Sequence, residues 1–178
     1  MTRKVRAKTE AAWRRNAIKT MEQSRRATLA FLKTLPESEI LRPRTQGKWS
    51  IRDVLAHIAA WESEAVKRFG QIARGRGDRI LFYDDMLAAD RFNARAVARA
   101  RRLSWAKLLR QAAEVRRRLV ISLRRLPPSS LNDRSHRYPV VAWLPEFAWT
   151  HEREHRRRIR AWWRNRSTGV ARKLRVRP

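Results

Sequence analysis

The stretch GKWSIRDVLAHIAAWE, residues 47–62, decides the fold class of this 178-residue chain. Ser50 is a favourable N-cap residue, and Asp53 three positions later completes the pattern of a capping box. Apolar residues then recur at helical spacing at Ile51, Val54, Leu55, Ile58, Ala65 and Phe69. The sequence therefore predicts an amphipathic helix that begins after Ser50, contains His57 and ends near Gly70.

Three further helical segments are predicted on either side of this stretch. By the same spacing they span about residues 8–35, 88–126 and 144–164. The third could break near Leu103, where Ser104 would cap its second part. No segment shows convincing strand character. We therefore expect one all-α four-helix bundle domain in residues 1–165, with a long connection between helices two and three.

Three of the four histidines lie where one metal ion could join them. His151 and His155 are four residues apart in WTHEREH, residues 149–155, so they project from one face of the predicted last helix. Both occupy positions in its apolar seam. His57 from a facing helix would complete a three-nitrogen site with open coordination positions, as in catalytic zinc sites. The alternative is three unrelated histidines, two of them packed in the core.

The predicted cofactor is a divalent metal ion, Zn, Ni, Mn or Fe, because ligation by imidazole alone does not select one of them. A zinc-type ion lowers the pKa of bound water to about 7. It could instead bind and deprotonate a substrate thiol. Metal-bound water or a thiolate would then be the nucleophile.

The order of these motifs resembles the DinB/YfiT-like family of helical-bundle metalloenzymes over roughly residues 8–165. The Trp49-Ser50 pair, His57 seven residues later and the His151/His155 motif carry this resemblance. The Phe92-Asn93 pair, LPPSSL at residues 126–131 and the late WTHEREH resemble the ClbS/DfsB branch. The resemblance implies an antiparallel bundle, a metal held by the three histidines, and thiol transfer, isomerisation or hydrolysis of a reactive genotoxin.

Four other residues are weaker candidates for the same site. Asp53 could orient His57 from behind or simply cap the helix with Ser50. Glu154 could act as a general base or form a salt bridge with the surrounding arginines. Tyr83 lies in the long connection and could reach the mouth of the site. Asn93 could hydrogen-bond a substrate or fasten the loop before helix three.

The net charge of +28 points to a different class of function. Residues 94–125 and residues 153–178 each contain eleven Lys or Arg and one Glu, an excess of ten positive charges. Such a surface attracts polyanions without reading their sequence. Trp163, beside Arg160 and Arg164, could stack on a base or be an ordinary surface aromatic. The alternative to an enzyme is thus a basic bundle that binds nucleic acid non-specifically, and the charge could equally be a solvated surface.

Composition limits the compartment and the remaining chemistry. The chain has no cysteine, which excludes disulfides, thiolate metal sites and a cysteine nucleophile. No apolar run reaches the ~20 residues of a membrane span, and the basic start lacks the apolar core of a signal peptide. We expect a cytoplasmic protein without membrane contact, acting on a small-molecule substrate. A homodimer held by metal is a further possibility, and residues 166–178 are predicted to form a flexible basic tail or to dock on an anionic partner.

Overall fold

The computed structural model describes residues 3–80, 85–133 and 138–175, with side chains for residues 8–80, 85–133 and 138–168. Within those residues the chain forms helices and no named strand. The helices are α1 (Arg3–Leu32), α2 (Glu37–Leu41), α3 (Ile51–Ala73), α4 (Met86–Ala100), α5 (Trp105–Arg125), α6 (Val140–Phe147) and α7 (Trp149–Arg175). Short 3-10 turns cover Gly77–Arg79 and Pro128–Asn132. The predicted all-α class is confirmed, although the described helices outnumber the predicted four.

The α3 helix begins as its sequence predicts. The Ser50 hydroxyl accepts a hydrogen bond from the Asp53 backbone N–H at 3.1 Å, and the Asp53 carboxylate accepts one from the Ser50 N–H, also at 3.1 Å. Two of the backbone donors at the start of the helix are thereby satisfied. The helix continues through Gly70 to Ala73, three residues beyond the predicted end. The local capping pattern therefore fixes where the helix that carries His57 starts.

The third predicted segment divides into α4 and α5 at the expected place. Ser104 caps α5 by accepting a hydrogen bond from the Lys107 N–H at 3.3 Å. The α4 helix has its own cap, because the Asp85 carboxylate accepts a hydrogen bond from the Ala88 N–H. A separate α4 can therefore pack against α3 and bring Phe92 and Asn93 to that helix.

Several further helix boundaries differ from the sequence prediction. The α2 helix lies in a stretch expected to be loop, where Glu37 and Glu39 in its first turn favour a helix N-terminus. The α6 helix covers the end of the expected connector and the expected start of the last helix, and it contains Pro145. Ala148, with φ −125° and ψ −93°, separates α6 from α7, so the last helix begins at Trp149 instead of Leu144. It ends at Arg175, beyond the predicted Arg164, and the predicted role of residues 166–178 as a tail stays a prediction.

The four long helices α1, α3, α5 and α7 form the body of the molecule. Pairs α3 with α5 and α1 with α7 pack along their lengths, and α3 also contacts α7. One core cluster joins residues of four helices, and its fully buried members include Met21, Phe69, Leu119, Leu123 and Leu144. A second cluster, around Ile51, Ile58 and Ile159, packs α3 against α7 near the histidines. No helix in the described part of the chain is long and apolar enough to cross a lipid bilayer.

Candidate metal centre

The three predicted histidines come together where α3 faces α7. The Nε2 atom of His151 lies 2.8 Å from Nε2 of His57 and 3.0 Å from Nε2 of His155. His57 is buried, and the other two are half-buried. One helical turn separates His151 from His155, so α7 places both imidazoles on one face. Among the described residues these three offer ligand nitrogens that all lie within 4.8 Å of one another, close enough to hold a metal ion.

The spacing of these nitrogens fits a metal ion after a small adjustment. Zinc–imidazole bonds of about 2.0–2.1 Å at tetrahedral angles would place two ligand nitrogens roughly 3.3 Å apart. The Nε2 atoms are a few tenths of an ångström closer than that. Rotation of each imidazole about its side-chain torsions opens such a distance without moving a helix. The donor set therefore fits a divalent ion that accepts nitrogen ligands.

Burial keeps the three imidazoles neutral, which is the state that binds metal. Loss of solvent lowers the pKa of His57 to about 3, and the neighbouring imidazoles lower it further in the same direction. The pKa of His151 falls to about 4, again mainly through burial. Burial also lowers the pKa of His155, helped by the positive charge of Arg158. The site therefore presents unprotonated nitrogens at neutral pH.

Nδ1 is the ring nitrogen of His57 and of His151 that lies outside the Nε2 cluster. Within the described residues, neither Nδ1 of His57 nor Nδ1 of His151 has a hydrogen-bond partner, although both atoms are buried. Ligating histidines usually donate this N–H to a carboxylate, a carbonyl or water. Asn93 is the cavity residue that acts on this part of the site, because its side-chain interaction with His57 raises the pKa of that imidazole against the effect of burial.

A cavity of about 280 Å³ opens beside His57 and His151. Its other lining residues are Trp61, Asn93, Glu146 and Phe147. The Trp61 indole N–H donates to the Asn93 side-chain oxygen at 3.0 Å, and this bond fixes the amide in the cavity wall. Trp61 also packs on Phe147, with ring centroids 4.9 Å apart. The cavity thus combines aromatic walls, one amide, one carboxylate and the histidine cluster.

The weaker sequence candidates are distributed differently. Asn93 lines the cavity. The Asp53 carboxylate instead accepts a hydrogen bond from the Ser50 N–H and forms a salt bridge with the Arg101 guanidinium, with a shortest N–O distance of 2.7 Å. Asp53 therefore caps and braces α3 and makes no hydrogen bond with His57. Glu154 is exposed and pairs with Arg158, so it does not line the cavity. Tyr83 lies outside the described residues.

Sequence reasoning missed Glu146 as a cavity residue. Its segment was expected to begin the last helix, and α6 instead carries its carboxylate to the cavity wall. Glu146 is exposed and makes no ion pair with any described residue. No local signal marked it: the Pro145-Glu146 pair is typical of a helix start, whereas both residues lie in the last turn of α6.

A buried ionic network behind the site was also missed. The Arg25 guanidinium contacts Glu152 at 2.6 Å and Glu62 at 3.0 Å, and the Arg116 guanidinium contacts both carboxylates, Glu152 at 2.9 Å. All four side chains are at most 7% exposed. The four residues, hereafter the buried quartet, come from α1, α3, α5 and α7, one from each long helix. Because Glu152 directly follows His151, the quartet fixes the turn of α7 that carries the candidate ligand.

The signal for the quartet was the spacing of its members relative to core residues. Arg25 is four residues after buried Met21, and Arg116 is four after buried Ala112. Glu152 follows buried Ala148 by the same interval. A charged residue at a core position of a helix is rarely buried without a partner, so this spacing indicates internal ion pairs.

Comparison with known proteins gives one match. The family model for the DinB superfamily matches residues 20–159 of the 178, which include all three histidines and the whole quartet. No curated protein sequence and no solved structure matches the chain.

Proposed function

Because the chain belongs to the DinB superfamily, we propose that it is a divalent-metal-dependent hydrolase or transferase that acts on a small compound. His57, His151 and His155 are the proposed ligands. The observation that carries the proposal is the convergence of three buried or half-buried imidazoles, two of which, His57 and His151, line a cavity. A divalent ion held there supplies Lewis acidity, which brings the pKa of a water or a thiol near neutrality.

The cavity supports a small substrate with an apolar part and a polar group. Its volume of about 280 Å³ is just below the ~300–1,000 Å³ typical of small-molecule pockets. Trp61 and Phe147 offer apolar contact, and the Asn93 amide nitrogen is available to donate because Trp61 engages its oxygen. We propose an electrophilic or thiol-bearing compound, with detoxification or self-protection in the cytoplasm as the biological role, as the resemblance to the ClbS/DfsB branch implies.

Glu146 replaces Glu154 as the proposed proton-transfer residue. Its carboxylate lines the cavity, whereas the Glu154 carboxylate pairs with Arg158 at the surface. A carboxylate beside the reacting group can accept a proton from the nucleophile and return it to a leaving group. Once a substrate is identified, Glu146→Gln is expected to lower kcat by about 100-fold or more while the metal content stays unchanged. Glu154→Gln is expected to leave kcat unchanged.

Elemental analysis of the purified protein tests the metal site. We expect close to one equivalent of Zn, Ni, Mn or Fe in the unaltered chain and its loss in His57→Ala and His151→Ala, because each removes one of three ligands. Asn93→Ala is the matched control, since it alters the same cavity without removing a ligand. Absence of metal, together with no uptake from added Zn²⁺ or Ni²⁺, would overturn the proposal.

A further inference from the structure

A positively charged groove lies between α1 and α7, on a different face of α7 from the histidines. It has a volume of about 500 Å³ and is lined by Phe31, Arg153, Arg156, Arg157, Arg160, Trp163 and Arg164. Successive residues of a helix are rotated by about 100°, so residues 153, 157, 160 and 164 form one stripe, roughly opposite His151 and His155. We call this surface the arginine groove.

The positive charge of the arginine groove is not neutralised locally. Among the described residues, no carboxylate forms an ion pair with Arg153, Arg157, Arg160 or Arg164. The two acidic residues of this part of α7 are engaged elsewhere, Glu154 by Arg158 and Glu152 by the buried quartet. Several arginines on other surfaces do have carboxylate partners, for example Arg42 with Glu39 and Arg117 with Glu114. The groove therefore lacks anions that its charge would attract.

Two aromatic side chains give the groove flat apolar surfaces among these charges. The Arg160 guanidinium lies over the Phe31 ring, 5.1 Å from its centroid. Trp163, one turn after Arg160, is half-buried in the groove wall. Arg156 is held in place by hydrogen bonds to the Ser24 carbonyl at 2.9 Å and the Thr28 hydroxyl at 3.0 Å. Part of the lining is thus already ordered before any ligand binds, which lowers the entropy cost of binding.

We infer that the arginine groove binds single-stranded nucleic acid, through its phosphates and by stacking of an unpaired base on Trp163. Cationic side chains interleaved with aromatic rings are the arrangement that sequence-tolerant single-strand binders use, and in this groove both rings are half-buried. A duplex hides the faces of its bases within the stack, so only a single strand can use both features. The stripe from Arg153 to Arg164 is about 16 Å long at 1.5 Å per residue. At ~3.4 Å per nucleotide this length matches about five nucleotides of a stacked strand.

Fluorescence anisotropy with labelled dT15, measured from 50 to 200 mM salt in EDTA, tests the inference separately from the metal site. The triple variant Arg157→Gln/Arg160→Gln/Arg164→Gln removes three phosphate contacts. Each contact contributes about 0.7 to the salt slope, so the slope should become shallower by about 2, and binding at 0.1 M salt should weaken about 100-fold. Trp163→Leu should weaken dT15 binding about 10-fold and leave binding to a 15-base-pair duplex nearly unchanged.

The matched control removes the same charge elsewhere. Arg91→Gln/Arg95→Gln/Arg102→Gln neutralises three exposed arginines on α4 and in the turn after it. Circular dichroism and melting of both triple variants show whether the fold is retained. Three results overturn the inference: an equal loss in the control triple, a duplex that binds as tightly as dT15 with no effect of Trp163→Leu, or tighter binding to anionic lipid vesicles than to dT15.

Discussion

Replacement of Glu152 by glutamine should destabilise the protein strongly, because Glu152 is the central carboxylate of the buried quartet. Its side chain is 0% exposed and accepts hydrogen bonds from Arg25 at 2.6 Å and Arg116 at 2.9 Å. Two carboxylates balance two guanidiniums in the intact quartet. After the substitution, two guanidiniums share Glu62 alone in a region where both arginine side chains are 7% exposed.

The expected cost follows from that uncompensated charge. Removing one partner of a buried ion pair costs about 3–5 kcal/mol. For a chain of this length each kcal/mol lowers the melting temperature by about 2–4 °C, so Glu152→Gln should melt roughly 10 °C lower. Calorimetry or urea unfolding of the metal-free protein measures the change without a contribution from ligand binding.

Glu154→Gln is the matched control, two residues away on the same helix. The Glu154–Arg158 pair is exposed, 45% and 60% for the two side chains, and such pairs contribute about 1 kcal/mol or less. A second variant, Arg25→Met/Glu152→Met, removes one charge of each sign and leaves Glu62 paired with Arg116. It should be more stable than Glu152→Gln. The reasoning is refuted if Glu152→Gln changes the free energy of unfolding by less than about 1 kcal/mol.

Three further predictions concern the histidine cluster and the α3 cap. Burial holds the pKa of His57 near 3 and that of His151 near 4. A histidine in the unfolded chain has a pKa of about 6.5, so between the folded and unfolded pKa values the unfolded state binds more protons than the folded state. The metal-free protein should therefore be fully stable above pH 6.5 and lose about 1.4 kcal/mol per histidine at pH 5.5, as measured by urea unfolding at both pH values. A His57→Gln/His151→Gln variant should show a flatter profile; equal stability of the intact chain at pH 5.5 and 7.5 would contradict this. A metal ion at 100 times its Kd should raise the free energy of unfolding by about 2.7 kcal/mol in the intact chain and not in that variant, which a thermal shift assay can follow. Ser50→Ala removes the hydroxyl that accepts the Asp53 N–H and should cost about 1 kcal/mol in urea unfolding; no change would contradict the role of the cap.

The parts of the fold that the sequence predicts well depend on short-range patterns. Ser50 and Asp53 are three residues apart, and the cap they form is complete without any other segment. His151 and His155 are four apart, so helix geometry alone places them side by side. The break at Ser104 likewise follows from its own side chain. In each case the deciding contact lies within one helical turn.

The features that the sequence does not predict depend on contacts between distant segments. Arg25 forms hydrogen bonds with Glu152, 127 residues away in the sequence, and with Glu62, 37 residues away. Core spacing marks each of these residues as buried, but nothing local shows which charges pair. The sequence does not predict Glu146 as a cavity residue for a related reason, because its position there depends on how α6 packs before the break at Ala148. Long-range pairing is decided by tertiary packing, which propensity and periodicity do not contain.

The α7 helix presents three chemistries on three faces, and this separation makes the two proposals independent. His151 lines the cavity, with His155 beside it in the histidine cluster. Glu152 and Ile159 face the core, and Arg157 and Arg160 face the groove. Each step of 100° along the helix turns a side chain by more than a quarter of a circle, so neighbours in sequence serve different surfaces. A substitution in the arginine groove should leave the metal content unchanged, and a histidine substitution should leave dT15 binding unchanged. A loss of both properties after one groove substitution would mean that the faces are coupled through the helix and that neither assay reports on one site alone.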